Sequence, residues 1–373
     1  LYFFPLLIQN VHMTQSVFIL GGYGNFGKRI ADALVRAGVP VIIAGRSREK
    51  AEALVAMLGA LAQVAVFDAN VELDAQLEAL KPKVLVNTCG PFQNADYRIA
   101  ESCIRHGVHY IDLADGRTFV TGITELDAQA KAAGVSVISG ASTVPCLSSA
   151  VIESFKDEFS EIGEMIFGIS PGQKAERGPA TTKGIMSYVG KPLKPYAGHP
   201  NPYGWQDVYQ QEYPELGKRW MANCDIPDLD LLPAHYGIRS IRFSAGLELA
   251  PLHLGLWALS WLVRVGWALN LPAYSTTLLK AANWFDRFGS ADGGMHVILR
   301  GKDVDGRSHE RRWFIIAKDG YGPYIPTIPA VVLAKKLMCD VPVVKGALPC
   351  VALVGLGEYL AELSGYPITT YTE

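Results

Sequence analysis

The chain has 373 residues, with 34 Lys and Arg against 36 Asp and Glu and a net charge of −2. That near balance, without any basic block, argues against nucleic acid as a partner. A composition of 49% hydrophobic and 19% charged residues describes an ordinary globular chain rather than a disordered one, with length for about two domains. Cys89, Cys103, Cys146, Cys224, Cys339 and Cys350 form no C-x-x-C pair and have mostly apolar neighbours, so they read as reduced thiols of a cytoplasmic protein. His106 and His109 lie close together without a cysteine or acidic cluster beside them, and no metal site is expected.

Leu1 to His12 departs from everything after it and reads as a vector-derived leader before Met13, so it is set aside. From Met13 onward, short apolar runs alternate with helical patterns. Strands are expected at Val17–Leu20, Pro40–Ala44, Val64–Phe67, Val84–Asn87, Tyr110–Leu113 and Val135–Ser139. Helices are expected at Lys28–Ala37, Glu49–Leu58, Glu72–Leu80, Asp96–His106 and Gly122–Ala133, with Gly38, Gly107 and Gly134 placed as stops. Such alternation predicts a doubly wound parallel Rossmann sheet over 13–145, in the order 3-2-1-4-5-6.

The first strand runs into Gly22-Tyr23-Gly24-Asn25-Phe26-Gly27, a G-x-G-x-x-G turn opening a helix. Gly22 is expected to permit the turn, Gly24 to admit a pyrophosphate close to the backbone, and Gly27 to let the helix pack on the sheet. Strand two ends at Arg46 and Ser47, where an NAD site carries an acid for the ribose 2′-hydroxyl. A guanidinium there pairs with a 2′-phosphate instead, so the expected cofactor is NADP(H). Asp68, after strand three, is placed to meet the adenine amino group. Asn87, Thr88, Cys89, Gly90 and Pro91, after strand four, are placed along the nicotinamide ribose.

Past Pro145 the pattern changes. Residues 146–325 read as a second α+β domain with a mainly antiparallel sheet, including a hairpin between Met295–Arg300 and Arg312–Ala317. Residues 326–373 read as a C-terminal helical segment packing back on the first domain, with helices at Ala330–Met338 and Pro349–Ser364. The apolar stretch Leu247 to Leu271 has too short an uninterrupted run to span a bilayer. It keeps three readings: a buried or interface helix, a lining for a greasy substrate pocket, or a membrane-surface helix anchored by Trp257, Trp261 and Trp267.

The glycine turn, Ala44-Gly45-Arg46, Val86-Asn87-Thr88-Cys89-Gly90-Pro91-Phe92, His109-Tyr110-Ile111-Asp112-Leu113-Ala114-Asp115 and Gly140-Ala141-Ser142-Thr143-Val144-Pro145 together resemble the saccharopine dehydrogenase-like NADP-binding family. The resemblance covers about the first 150 residues. It implies a Rossmann domain followed by a substrate and dimerisation domain, a homodimer, and hydride chemistry on imines, amino acids or lipid-like enoyl groups.

Proton-handling residues belong near the ends of strands five and six. Asp115, Asp112 and Cys146 are the candidates, with Asp115 nearest the loop and Cys146 at a helix start. Thr181, Thr182 and Lys183 follow a Gly-Pro turn within possible reach of cofactor or substrate. The leading expectation is an NADP(H)-dependent oxidoreductase acting on a C=N or other small to moderately apolar substrate. The opposed expectations are a non-catalytic NADP(H)-binding protein at a lipid or membrane surface, and an enoyl reductase with a lipid-like substrate.

Overall fold

A computed structural model of the chain describes residues 16–93, 95–176, 179–267 and 270–373. The leader expected at 1–12 lies outside the described residues, and the side chain of Thr181 is likewise not described. The first half supplies β1 (Val17–Leu20), α1 (Asn25–Arg36), β2 (Val41–Gly45), α2 (Arg48–Leu58), β3 (Ala62–Val66), α3 (Ala69–Leu80), β4 (Val84–Asn87), α4 (Arg98–Arg105), β5 (His109–Asp112), α5 (Arg117–Gly122), α6 (Asp127–Ala132) and β6 (Ser136–Ser139). Buried β-branched runs such as Val17–Leu20 suit a sheet covered by helices on both faces. Every pairing is parallel, and the order β6-β5-β4-β1-β2-β3 is the doubly wound one the pattern predicts.

The second half begins with α7 (Ser148–Phe155), β7 (Glu161–Ser170), α8 (Pro179–Tyr188), β8 (Tyr209–Tyr213), β9 (Gly217–Asn223), α9 (Asp228–Tyr236) and β10 (Ser240–Leu247). It continues through α10 (Ala250–Arg264), α11 (Ser275–Asn283), β11 (Gly293–Lys302) and β12 (Ser308–Ala317). The tail holds α12 (Ile328–Met338), β13 (Gly346–Pro349), α13 (Leu356–Glu362) and β14 (Ile368–Thr372). The second sheet has the order β14-β12-β11-β7-β10-β9-β8 among the described residues. It is antiparallel except where β10 runs parallel to β7, in keeping with the mainly antiparallel expectation. One apolar core joins the two halves: Val17 and Ile19 of β1 belong to the same cluster as Phe167 of β7 and Trp313 of β12.

The tail departs from its helical reading. Gly346–Pro349 pairs parallel with β6 and extends the first sheet by an edge strand, where a proline is tolerated. Cys350 N donates to Ser139 O at 2.8 Å, and Gly355 precedes a helix of only seven residues, so Pro349–Ser364 does not form one helix. The last strand then crosses to pair with β12. The tail therefore stitches both sheets together.

Candidate cofactor and active site

The glycine turn is shaped by three close approaches. Gly21 carries the left-handed φ of +76°, and a Cβ there would meet Thr88 Oγ1 at 2.7 Å and Cys89 Sγ at 2.8 Å. The turn glycine is thus Gly21, one residue before the expected Gly22. At Gly22 the constraint is packing, since a Cβ would lie 2.9 Å from Ile19 O and 3.0 Å from Ile43 Cγ2. A Cβ on Gly27 would sit 2.4 Å from Gly21 O, which is the helix-on-turn contact expected of that position. Gly24 is the N-cap of α1 and offers no side-chain cap, so the first-turn amides of that helix are left for an incoming anion.

A cleft of about 830 Å³ opens at the carboxyl ends of the parallel strands. Tyr23, Gly24, Asn25 and Phe26 line it from the turn. Arg46 and Asp68 line it from the ends of β2 and β3, and Asn87 to Pro91 from the end of β4. Gly22, Gly27 and Ser47 stand behind this wall rather than in it. Arg46 is exposed and makes no hydrogen bond or ion pair among the described residues. Ser47 caps α2, with its Oγ accepting from Lys50 N at 3.4 Å, and its own N–H donates to Tyr23 Oη at 2.9 Å. The Tyr23 ring can lie there because a Cβ on Gly45 would come within 2.5 Å of it.

Asp68 caps α3, accepting from Asn70 N at 3.0 Å and from Asn70 Nδ2 at 2.9 Å. The backbone bond leads in holding its carboxyl below the usual range. Asn87 spends its side chain on the loop: Oδ1 accepts from Cys89 N at 3.0 Å, and Nδ2 donates to Tyr110 Oη at 3.1 Å. Thr88 Oγ1 donates to Leu20 O at 2.9 Å, fastening the β4 loop to the glycine turn.

The three proton-handling candidates separate. Asp115 lines the cleft, and Gln93 Nε2 donates to its Oδ1 at 3.0 Å. Burial pushes the Asp115 carboxyl above its usual pKa. Gly184 of α8 comes against the same Gln93, a Cβ there lying 3.0 Å from Nε2, so the second half closes this end of the cleft.

Asp112 is fully buried, with Oδ1 heavily engaged and Oδ2 left without a hydrogen-bond partner among the described residues. Its Oδ1 accepts from Gly140 N at 2.8 Å, Ala114 N at 2.9 Å and Ser139 Oγ at 3.0 Å, tying the ends of β5 and β6. Burial raises its pKa to about 6. Cys146 is fully buried beside Cys350, away from the lining of the cleft. Lys183 of α8 is exposed.

Sequence reasoning passed over Gln93 and Arg117. Arg117 is 4% exposed; its Nε and Nη2 donate to Asp230 at 2.9 and 2.6 Å, and its Nη1 donates to Asp225 Oδ1 at 2.9 Å. It therefore locks the loop carrying Asp115 onto the second half. Its partners are 108 and 113 residues downstream, and no local pattern announces such a contact.

Residues 17–138 match the family model described as the saccharopine dehydrogenase NADP binding domain. The chain is 29% identical over 116 residues to a provisionally named trans-acting enoyl reductase in two strains of Mycobacterium tuberculosis. That alignment spans 30% of this chain and 28% of the relative's length. The fold as a whole is like that of apo saccharopine dehydrogenase (L-Glu forming) from Saccharomyces cerevisiae. The TM-score is 0.66 at 13% identity, covering 96% of this chain and 99% of that one. A glycine turn that only bare backbone fills, an uncapped helix start and an unpaired Arg46 fit a phosphorylated dinucleotide. Residues 17–138 thus carry a saccharopine dehydrogenase-type NADP binding domain, and NADP(H) is the cofactor that this domain supports.

Proposed function

We propose that the protein is an NADP(H)-dependent oxidoreductase whose substrate is partly apolar and carries no carboxylate at the reacting end, such as an enoyl compound or an imine. The observation that carries this reading is Asp115, a titratable group with a raised pKa held by Gln93 in the cleft that Asn87 to Pro91 also line. When bound, NADPH supplies a hydride from its nicotinamide. Asp115 holds the proton that the reduced atom needs, Gln93 fixes the carboxyl, and Phe92, Leu113 and Phe119 keep water from this end of the cleft.

The substrate class follows from the charges. Among the described residues, the cations lining the cleft are Arg46, Arg98 and Arg105. Arg98 is paired with Asp96 at 2.6 Å and Arg105 with Asp74 at 3.0 Å, while Arg46 belongs to the 2′-phosphate end. None of these three stands unpaired beside Asp115. The name of the mycobacterial relative, an enoyl reductase, supports the same direction.

The test is NADPH oxidation against enoyl thioesters, imines and 2-oxo acids. Turnover is expected with the first two classes and not with the third. Asp115→Asn should lower kcat about a hundredfold or more while NADPH still binds. Turnover confined to oxo acids, or an unchanged kcat in the variant, overturns the reading.

A further inference from the structure

The helix α10 lays Leu256, Trp257, Leu259 and Val263 against the core. His253 and Ser260 are buried on it, seven residues apart on one face. That face is tied down by polar contacts: Trp205 Nε1 donates to His253 O at 3.4 Å, and Ser260 Oγ donates to Trp205 O at 3.3 Å. The far side of the helix and the segment after it leave large apolar groups exposed. Trp267 is 61% exposed, Trp284 80% and Phe288 62%, with Trp261, Tyr274 and Phe285 exposed beside them in the chain. A surface this rich in open aromatics marks an interaction site.

Charge selects the partner. Residues 250–288 hold Arg264, Lys280 and Arg287 against the single acid Asp286, in a chain whose totals are 34 basic and 36 acidic. Asp286 is already engaged, accepting from Gln173 Nε2 at 2.9 Å. Arg264 lies 3.9 Å from the Tyr203 ring centroid and Arg287 lies 4.6 Å from that of Phe288, so each of these cations sits beside an aromatic ring. Tryptophans and phenylalanines that enter the headgroup boundary, flanked by arginine and lysine, are the chemistry of an anionic lipid surface. A second copy of the same patch would instead set cation against cation. No helix among the described residues is long and apolar enough to cross a membrane, so the contact is a docked one. We infer that the α10–α11 surface seats the protein on anionic lipid. The α11 helix and the Leu271–Tyr274 turn pack on α8, whose Gly184 meets Gln93, so the docked face adjoins the Asp115 end of the cleft.

The experiment is sedimentation of the purified chain with vesicles of phosphatidylcholine alone and of phosphatidylcholine with phosphatidylglycerol, alongside its mass in solution. It reads binding without turnover, so its failure leaves the proposed reaction untouched and the reverse also holds. Binding to the anionic vesicles is expected, falling about tenfold when Trp267→Ser and Trp284→Ser are combined and about fivefold for each of Lys280→Gln and Arg287→Gln. NADPH binding should persist in all three variants as the check on folding. No binding to anionic vesicles, or equal binding to both kinds, overturns the inference. So does a dimer that shields Trp267 and Trp284 and separates when they are replaced.

Discussion

The two sheets treat polar groups in opposite ways. At the carboxyl ends of the first sheet, Arg46 and the opening amides of α1 have no hydrogen-bond partner among the described residues. In the second half several buried or part-buried polar side chains are paired inside the fold. His296 is fully buried between Tyr213 Oη at 2.8 Å and Tyr209 Oη at 3.3 Å, and burial lowers its pKa to about 3. Arg300 is shared by Glu310 and Glu164, and Arg219 reaches Glu248 at 3.4 Å. Groups left open in a cleft are there for a ligand, and groups paired inside are there for the fold. Asp115 sits where the regimes meet, on a first-half loop held by second-half carboxylates.

The largest effect should come from that junction. Replacing Arg117 leaves Asp225 and Asp230 facing each other without their shared cation, and strands Lys194 O and Pro195 O as well. Arg117→Met should cost about 3–5 kcal/mol in urea unfolding. A loss below 1 kcal/mol, the ordinary size of an exposed pair, would erase the distinction between consumed and open charges.

Asp228, at the first turn of α9, sharpens the same contrast through pH. It is fully buried against Ser148, and burial raises its pKa from 3.8 to about 7. Ser148 Oγ also donates to Pro145 O at 3.0 Å, and one hydroxyl proton cannot serve both, so a protonated Asp228 donates to Ser148. The native state keeps this proton while the unfolded chain loses it near pH 3.8. The contribution is therefore complete below that pH and drains away as pH rises toward 7. Asp228→Asn should match the wild type near pH 4 and exceed it in stability by about 2–4 kcal/mol above pH 7. Parallel stability curves over that window would mean the carboxyl titrates normally.

Much of the first half was legible because its rules are local. A strand, a glycine turn and a helix are read within fifteen residues, and Arg46 declares the 2′-phosphate by the absence of an acid. What stayed hidden was set by distance or by backbone angle. The positive φ belongs to Gly21 because Thr88 and Cys89, brought over by β4, leave no room for a side chain there. The strand at Gly346–Pro349 lies just ahead of the stretch that reads as a helix from Pro349, and only β6 gives it an edge to pair with. The sequence puts Asp115 nearer the loop than Asp112, but only the fold shows Asp112 Oδ1 tied down by the amides of Gly140 and Ala114.

On the open side, Arg46→Ala should weaken NADPH binding about ten- to a hundredfold while NADH binding changes little, as fluorescence titration would read. Folding stability should move little, because Arg46 makes no hydrogen bond or ion pair among the described residues. An equal loss for both coenzymes would place the guanidinium on the shared part of the dinucleotide and not on its 2′-phosphate.

Ser47 tests whether one residue can belong to both regimes. Its hydroxyl caps α2 through a long contact of 3.4 Å to Lys50 N, which puts the cost of Ser47→Ala near the low end for a cap, about 0.5 kcal/mol. The hydroxyl stands beside Arg46 without lining the cleft, and a bound 2′-phosphate is a stronger acceptor than any group it now meets. The variant should therefore lose about two- to tenfold in NADPH affinity, less than Arg46→Ala, and leave NADH untouched. The backbone bond from Ser47 N to Tyr23 Oη survives the change, so the glycine turn keeps its shape and the loss reports the hydroxyl alone. An unaltered NADPH titration with the small loss of stability would make Ser47 a cap and nothing more, and the boundary between open and consumed groups would then run between two adjacent residues.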